Sequence, residues 1–174
     1  LLPSPTLFRS QVQRVVLIPC ARHPLGKQPR ADFAHRLAMC RLAVGRLERE
    51  VEVLDMEASR EGASYTIDTL RALQAQRPGH QWRLMIGTDI LSQTAQWKDW
   101  DQIELLAPPL VIPRLTAEAD PGQASHDLRC LSSTHLRESL ARDLCPDGLL
   151  PRSVLDYIRA NHLYGMETDP RCDT

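Results

Sequence analysis

No stretch of the sequence approaches the roughly 20 consecutive apolar residues that span a bilayer, and its first residues lack the basic stretch and apolar core of a secretion signal. Neither a membrane protein nor a membrane partner is expected. Cysteine is present without a pattern: Cys20, Cys40, Cys130, Cys145 and Cys172 are odd in number and include no C-x-x-C pair. That argues against a disulfide framework and a structural zinc site, and points to a reducing cytoplasm. The histidines show no H-E-x-x-H or comparable ligand spacing, so no protein-held metal is expected. Neither a G-x-x-x-x-G-K-[ST] loop nor a G-x-G-x-x-G turn occurs, which removes the P-loop and dinucleotide-fingerprint classes. An excess charge of one sign is missing too. With a formal net charge of -1 the chain has no global field to recruit nucleic acid, and any phosphate must be bound by local groups. Lysine occurs only at Lys27 and Lys98. That bias toward arginine is as well explained by a GC-rich genome and carries no functional weight.

What remains is an ordinary folded composition: 174 residues, 43% hydrophobic and 25% charged. The expectation is one domain over residues 13–164, with an irregular tail at 1–12 marked by Pro3 and Pro5 and a polar tail at 165–174. Because the chain opens Leu1-Leu2 rather than with Met, the true start is expected to lie upstream or to have been removed. Short β-branched runs predict strands near 14–18, 51–54, 82–86, 110–113 and 128–131. Between them, Phe33, Leu37, Cys40, Val44 and Leu47 recur at helical spacing after a plausible N-cap, Asp32. Ile67, Leu70 and Leu73 mark a second helix that stops at Pro78-Gly79, and two short helical stretches run from Asp89 to Ala107. THLRESLARD and PRSVLDYIRANHL, the latter with Pro151 at its first position, complete the set. Alternating strands and helices predict an α/β domain with a mostly parallel sheet, whose ligands sit beyond the carboxyl ends of the strands.

The residues just after each strand are therefore the candidates. Ser132, Ser133 and Thr134 set hydroxyls and free N–H groups at a helix start, with Arg137 one turn on. That arrangement suits a phosphate, though an ordinary cap with a surface arginine uses the same residues. Ser64, Tyr65 and Thr66 precede a helix and are equally open to a capping role. Gly87 and Asp89 combine room for a ligand with an acid suited to ribose hydroxyls, or simply cap a helix. Trp97 and Trp100 lie three apart; one facing a cleft would stack on an aromatic ring, while core packing is the commoner fate. Arg22, His23 and Lys27 concentrate positive charge in the loop after the first strand, a place for a triphosphate or a solvated loop. Arg114 ends the fourth strand. Cys20 reads better as a small buried residue than as a nucleophile.

Taken in order, VVLIPCARHPLGK, SYTIDTL, IGTD, the W-K-x-W of Trp97 to Trp100, LVIPR, LSSTHLR and LPRSVLDYIRANHLY resemble the bacterial nicotinate-nucleotide adenylyltransferases over roughly residues 14–164. The resemblance implies a three-layer Rossmann-like nucleotidylyltransferase fold. It also implies transfer of AMP from ATP to nicotinate mononucleotide, with Mg²⁺, giving deamido-NAD and pyrophosphate. Carried over residue by residue, it puts Lys27, Ser132, Ser133, Thr134 and Arg137 at the ATP phosphates. Tyr65, Thr66, Gly87, Asp89, Trp97 and Arg114 fall to the nucleotide substrates, with Trp97 stacked on the pyridine ring and Asp89 on a ribose.

One part of the family pattern has no counterpart. The family opens with a strand and G-G-[ST]-F-[DN]-P-x-H-x-G-H, whose glycines and histidines serve the reacting phosphates, whereas LLPSPTLFRSQV holds neither glycine nor histidine. By resemblance this strand is central in the sheet, so the expectation is a sheet without its first strand, impaired transfer and no identifiable catalytic residue. Two classes stay open. One is an adenylyltransferase, including a relative with another acceptor such as pantetheine phosphate. The other is a non-catalytic nucleotide-binding or scaffold protein on the same fold. Nicotinate and nicotinamide mononucleotide are not separated by the sequence, and neither is the oligomeric state.

Overall fold

A computed structural model describes residues 12–26, 28–47, 50–112, 133–142 and 149–165. They gather into two compact units.

The first unit draws on residues 1–21, 27–60 and 132–174. Strand β1 (Val15–Leu17) pairs in parallel with β2 (Val51–Val53), Val15 opposite Val51 and Leu17 opposite Val53. A parallel pair needs a crossover, and helix α1 (Phe33–Val44) supplies it. Leu37 and Val44 on its apolar stripe are buried and Cys40 is half-buried. Leu47 departs from the predicted stripe. Gly45, at φ +43°, ends the helix, and Leu47 sits exposed in the 3-10 turn that follows. Asp32 holds the cap position without a side-chain hydrogen bond. Helix α4 (Ser133–Ala141) and helix α5 (Arg152–Ala160) complete the described part of this unit. Leu140, Val154 and Ile158 form its core, with Met39 and Leu42 of α1 and Leu136 of α4 packed against them. Pro151 caps α5 instead of opening it, its carbonyl accepting from the N–H groups of Val154 and Leu155. Tyr157 ties α5 to α1 through a 2.9 Å hydrogen bond with His35.

The second unit, residues 22–26 and 61–131, repeats the parallel pairing. Strand β3 (Leu84–Gly87) pairs with β4 (Pro109–Ile112) in a four-residue register from Leu84–Pro109 to Gly87–Ile112. Helix α2 (Thr66–Gln76) buries Ile67, Leu70 and Leu73, as their spacing predicts. A 3-10 helix (Thr88–Gln96) and helix α3 (Trp100–Leu106) connect the two strands, and Ile103 and Ala107 are almost wholly buried. The break between them falls at Asp99, whose φ of +53° cannot continue a right-handed helix.

Four of the five predicted strands are thus present within two residues of their expected limits, as two parallel ladders. The fifth, at 128–131, lies outside the described residues, as does the 1–12 tail apart from Val12. Among the described residues no helix is long and apolar enough to cross a membrane.

Candidate active site

The loop after β1 is held from both sides. Arg36, on α1, donates to the carbonyls of Cys20 (2.6 Å), Ala31 (3.1 Å) and Ala21 (3.5 Å), while its guanidinium lies 5.5 Å from the Phe33 ring centroid. The Ala21 N–H donates in turn to Glu57, a carboxylate only 6% exposed. Within the second unit, Arg22 and Ser64 are doubly tied: Ser64 N–H donates to the Arg22 carbonyl at 2.8 Å, and Arg22 N–H donates to the Ser64 hydroxyl at 3.2 Å. Ser64 therefore spends its hydroxyl on the loop and not on capping α2, whose N-cap is Tyr65 with no side-chain cap bond. His23 closes a tight turn by accepting from Leu25 N–H, and Gly26, at φ +69°, supplies the left-handed position there. Lys27 lies outside the described residues.

In the first unit, Ser133 and Thr134 open α4 and are exposed. Arg137 donates to the Thr134 hydroxyl at 3.4 Å, so the guanidinium is folded back toward the helix start where unpaired N–H groups and the helix dipole favour an anion. Tyr164 belongs to the same neighbourhood. Burial pushes its phenol above the ordinary value, opposed by the positive charges of Arg137 and Arg36. Ser132 lies outside the described residues.

The second unit carries the aromatic group of candidates. Tyr65 and Thr66 sit at the start of α2, half-buried. Gly87 ends β3 with a φ of -78°, which any residue adopts, so only close approach of a ligand would call for glycine there. Asp89 lies exposed in the first turn of the 3-10 helix. Trp97 is half-exposed and meets Trp100 edge to face, with ring centroids 5.6 Å apart. Between them, Lys98 places its ammonium 4.7 Å from the Tyr65 ring centroid and 3.3 Å from Asp68 Oδ2. Lys98 thus brings Tyr65 together with the Trp97–Trp100 segment. Arg114 lies outside the described residues.

Sequence reasoning missed three contributors. Arg36 and Glu57 gave no signal because their value lies in backbone groups they meet far along the chain. Lys98 did give one: it is a lysine inside W-K-x-W in a chain whose cations are otherwise almost all arginine.

Comparison with known proteins gives this arrangement its context. The profile of the cytidylyltransferase-like family matches residues 7–139. A relative from Anaeromyxobacter dehalogenans named as a nicotinate-nucleotide adenylyltransferase is 42% identical over 88% of this chain and 81% of its own. Among solved structures, a protein of Vibrio parahaemolyticus described as a nicotinate-nucleotide adenylyltransferase superposes with a TM-score of 0.67 at 16% identity, covering 92% of this chain and 85% of its own. The Plasmodium falciparum nicotinic acid mononucleotide adenylyltransferase complexed with NaAD superposes with a TM-score of 0.64 at 16% identity, covering 89% and 84%. The fold is accordingly the nucleotidylyltransferase-like α/β fold, and the chain belongs to the nicotinate-nucleotide adenylyltransferase family.

Proposed function

We propose that this chain transfers the adenylyl group of ATP to nicotinate mononucleotide in the cytoplasm, releasing pyrophosphate and deamido-NAD, a step of NAD biosynthesis. A phosphate oxygen of the mononucleotide forms a bond to the α-phosphorus of ATP, and the bond from that phosphorus to the bridging β-oxygen breaks. The observation that carries this reading is the 42% identity, over 88% of the chain, to a relative of that name. The geometry supplies parts suited to each substrate.

Because the chemistry is a displacement at phosphorus, positioning and charge stabilisation are what a protein must provide. The start of α4 does so for the leaving pyrophosphate: Ser133 and Thr134 offer hydroxyls and N–H donors, and Arg137 a fork of donors. Ser132 and Lys27 belong to the same set. Mg²⁺ travels with the triphosphate as part of the co-substrate and offsets its charge. On the acceptor side, Trp97 stacks on the pyridine ring and Tyr65 and Thr66 hold the mononucleotide. Asp89 takes ribose hydroxyls next to Gly87, and Arg114 completes the substrate set. The family profile and the motif order support assigning these roles to one nucleotidylyltransferase domain over residues 13–164.

The test is to incubate the protein with ATP, Mg²⁺ and nicotinate mononucleotide and to follow deamido-NAD and pyrophosphate. Equal amounts of the two products are expected. Product absent while the mononucleotide still binds would instead support a non-catalytic nucleotide-binding protein, and absence of both would overturn the assignment altogether. Turnover by residues 1–174 alone should be slow, since residues 1–12 offer no glycine or histidine and each missing transition-state donor costs about a hundred- to a thousandfold. The same polypeptide preceded by a strand bearing G-G-x-F-x-P-x-H-x-G-H should be faster by at least that factor.

A further inference from the structure

We propose that Arg36 and Glu57 are positioning residues for ATP: they fix the ends of the basic loop after β1 and thereby set where its cations meet the triphosphate. This rests on the adenylyl-transfer reading above. Residues 22–30 carry Arg22, His23, Lys27 and Arg30 and no acid. Such a segment repels itself and gains little from burial. Leu25, near its tip, is 54% exposed, and Arg22 and Arg30 are exposed as well. The N–H groups of Leu25 and Gly26 both donate to His23, which orders the tip locally. The placement of the loop is therefore set at its ends.

One guanidinium spans those ends. Arg36 Nη1 donates to the Cys20 carbonyl at 2.6 Å and Nη2 to that of Ala21 at 3.5 Å, where the loop begins. Its Nε donates to the carbonyl of Ala31, a residue 5% exposed where the loop ends, at 3.1 Å. Glu57 accepts from Ala21 N–H at 3.1 Å, so the backbone of Ala21 is held on its donor and its acceptor side. Cys20, Ala21, Ala31, Arg36 and Glu57 all belong to the first unit. The bridge needs a planar fork whose donors diverge; the point charge of a lysine cannot reach both ends. The guanidinium itself is steadied by the Phe33 ring, 5.5 Å away at its centroid. A loop closed in this way has fewer conformations to lose when it takes hold of a triphosphate. Neither side chain has to touch ATP, because each acts through the loop's cations.

Calorimetric titration of the full chain with ATP and Mg²⁺ and, separately, with nicotinate mononucleotide tests this, the folded fraction of each variant being measured alongside. Arg36→Met should weaken ATP roughly tenfold and the mononucleotide less than about twofold. Glu57→Ala should act in the same direction, and Glu57→Gln, whose amide oxygen still accepts from Ala21 N–H, should restore most of the affinity. The deciding arm is a double-mutant cycle with Lys27→Met. If Arg36 acts through the loop's cations, Arg36→Met should cost ATP binding less than about threefold once Lys27 is gone. Arg36→Lys, which keeps the charge and loses the fork, carries the same cycle should Arg36→Met fail to fold. Equal weakening of both ligands, or full additivity of the Lys27 and Arg36 losses, would overturn the positioning role while leaving the adenylyl-transfer reading intact. An unaltered chain that binds the mononucleotide and not ATP would overturn it too. If the unaltered chain binds neither, the adenylyl-transfer reading fails and this one falls with it.

Discussion

The two units use charge in opposite ways. In the first, Arg36 and Glu57 turn inward and spend their hydrogen bonds on backbone groups at Cys20, Ala21 and Ala31. In the second, Lys98, Asp68, Arg71 and Asp99 pair with one another in partly exposed positions beside Tyr65. A side chain bonded to buried backbone is costly to remove, because its partners are left unsatisfied, whereas a solvated pair loses little when broken. The first pattern fixes a loop; the second leaves charges available to a ligand.

The largest effect should follow from attacking the inward-facing groups. Arg36→Met is expected to cost about 2–3 kcal/mol of unfolding free energy, since it strips charged donors from several carbonyls at once. Glu57→Ala should cost about 2 kcal/mol and Glu57→Gln appreciably less, because the amide oxygen can still accept from Ala21 N–H. Denaturant unfolding of the three variants measures this, and losses below half a kcal/mol would erase the contrast between the units.

Trp97→Ala comes next and acts on binding: nicotinate mononucleotide affinity should fall by roughly 0.5–1.5 kcal/mol beyond area burial, read by calorimetry. Unchanged affinity would mean that the half-exposed Trp97 ring serves something else.

A pH series sharpens the comparison from the other side. Cys40 and Tyr164 both have their ionisation pushed upward, mainly by burial, with Arg36 opposing in each case and Arg137 also opposing at Tyr164. The unfolded chain releases these protons more readily than the folded one. Their contribution is therefore fully present below the ordinary thiol and phenol values and is lost as pH rises through the raised ones. Urea midpoints should be flat in this respect around neutrality and decline in the alkaline range, and Cys40→Ala should remove the earlier part of that decline.

The smallest effect is reserved for the outer network. Removing the Lys98–Asp68 pair should move stability by no more than about 0.5–1 kcal/mol, as exposed ion pairs do. A much larger loss in Lys98→Met would place that pair among the structural bonds of the second unit.

How much of this could be read in advance follows from the range over which each feature is set. Ile67, Leu70 and Leu73 were legible because burial on a helix repeats locally. Gly45 shortened α1 and put Leu47 in a separate turn, a local signal that the apolar spacing overrode. The hydroxyls of Ser133 and Thr134 and the ring of Trp97 stood out by residue type and position after a strand. The role of Ser64 could not be settled from the sequence, because a serine before a helix looks the same whether it caps the helix or bonds Arg22, 42 residues away. Glu57 and Arg36 were invisible for that reason too: nothing near them in sequence reveals which carbonyls or N–H groups they reach.

The hydrogen bond between His35 and Tyr157 joins residues 122 positions apart, and Ser153 donates to the Leu42 carbonyl across 111. The first unit is therefore assembled from pieces of chain made before and after most of the second, which is nearly contiguous. On a ribosome adding residues one at a time, the second unit has its own core partners in hand long before α5 emerges, and α1 must wait with Met39 and Leu42 uncovered. Helix α5 is thus the timing element of biogenesis: a nascent chain stalled before residue 150 would present an apolar surface to chaperones, and one in which α5 has emerged and docked would cover it.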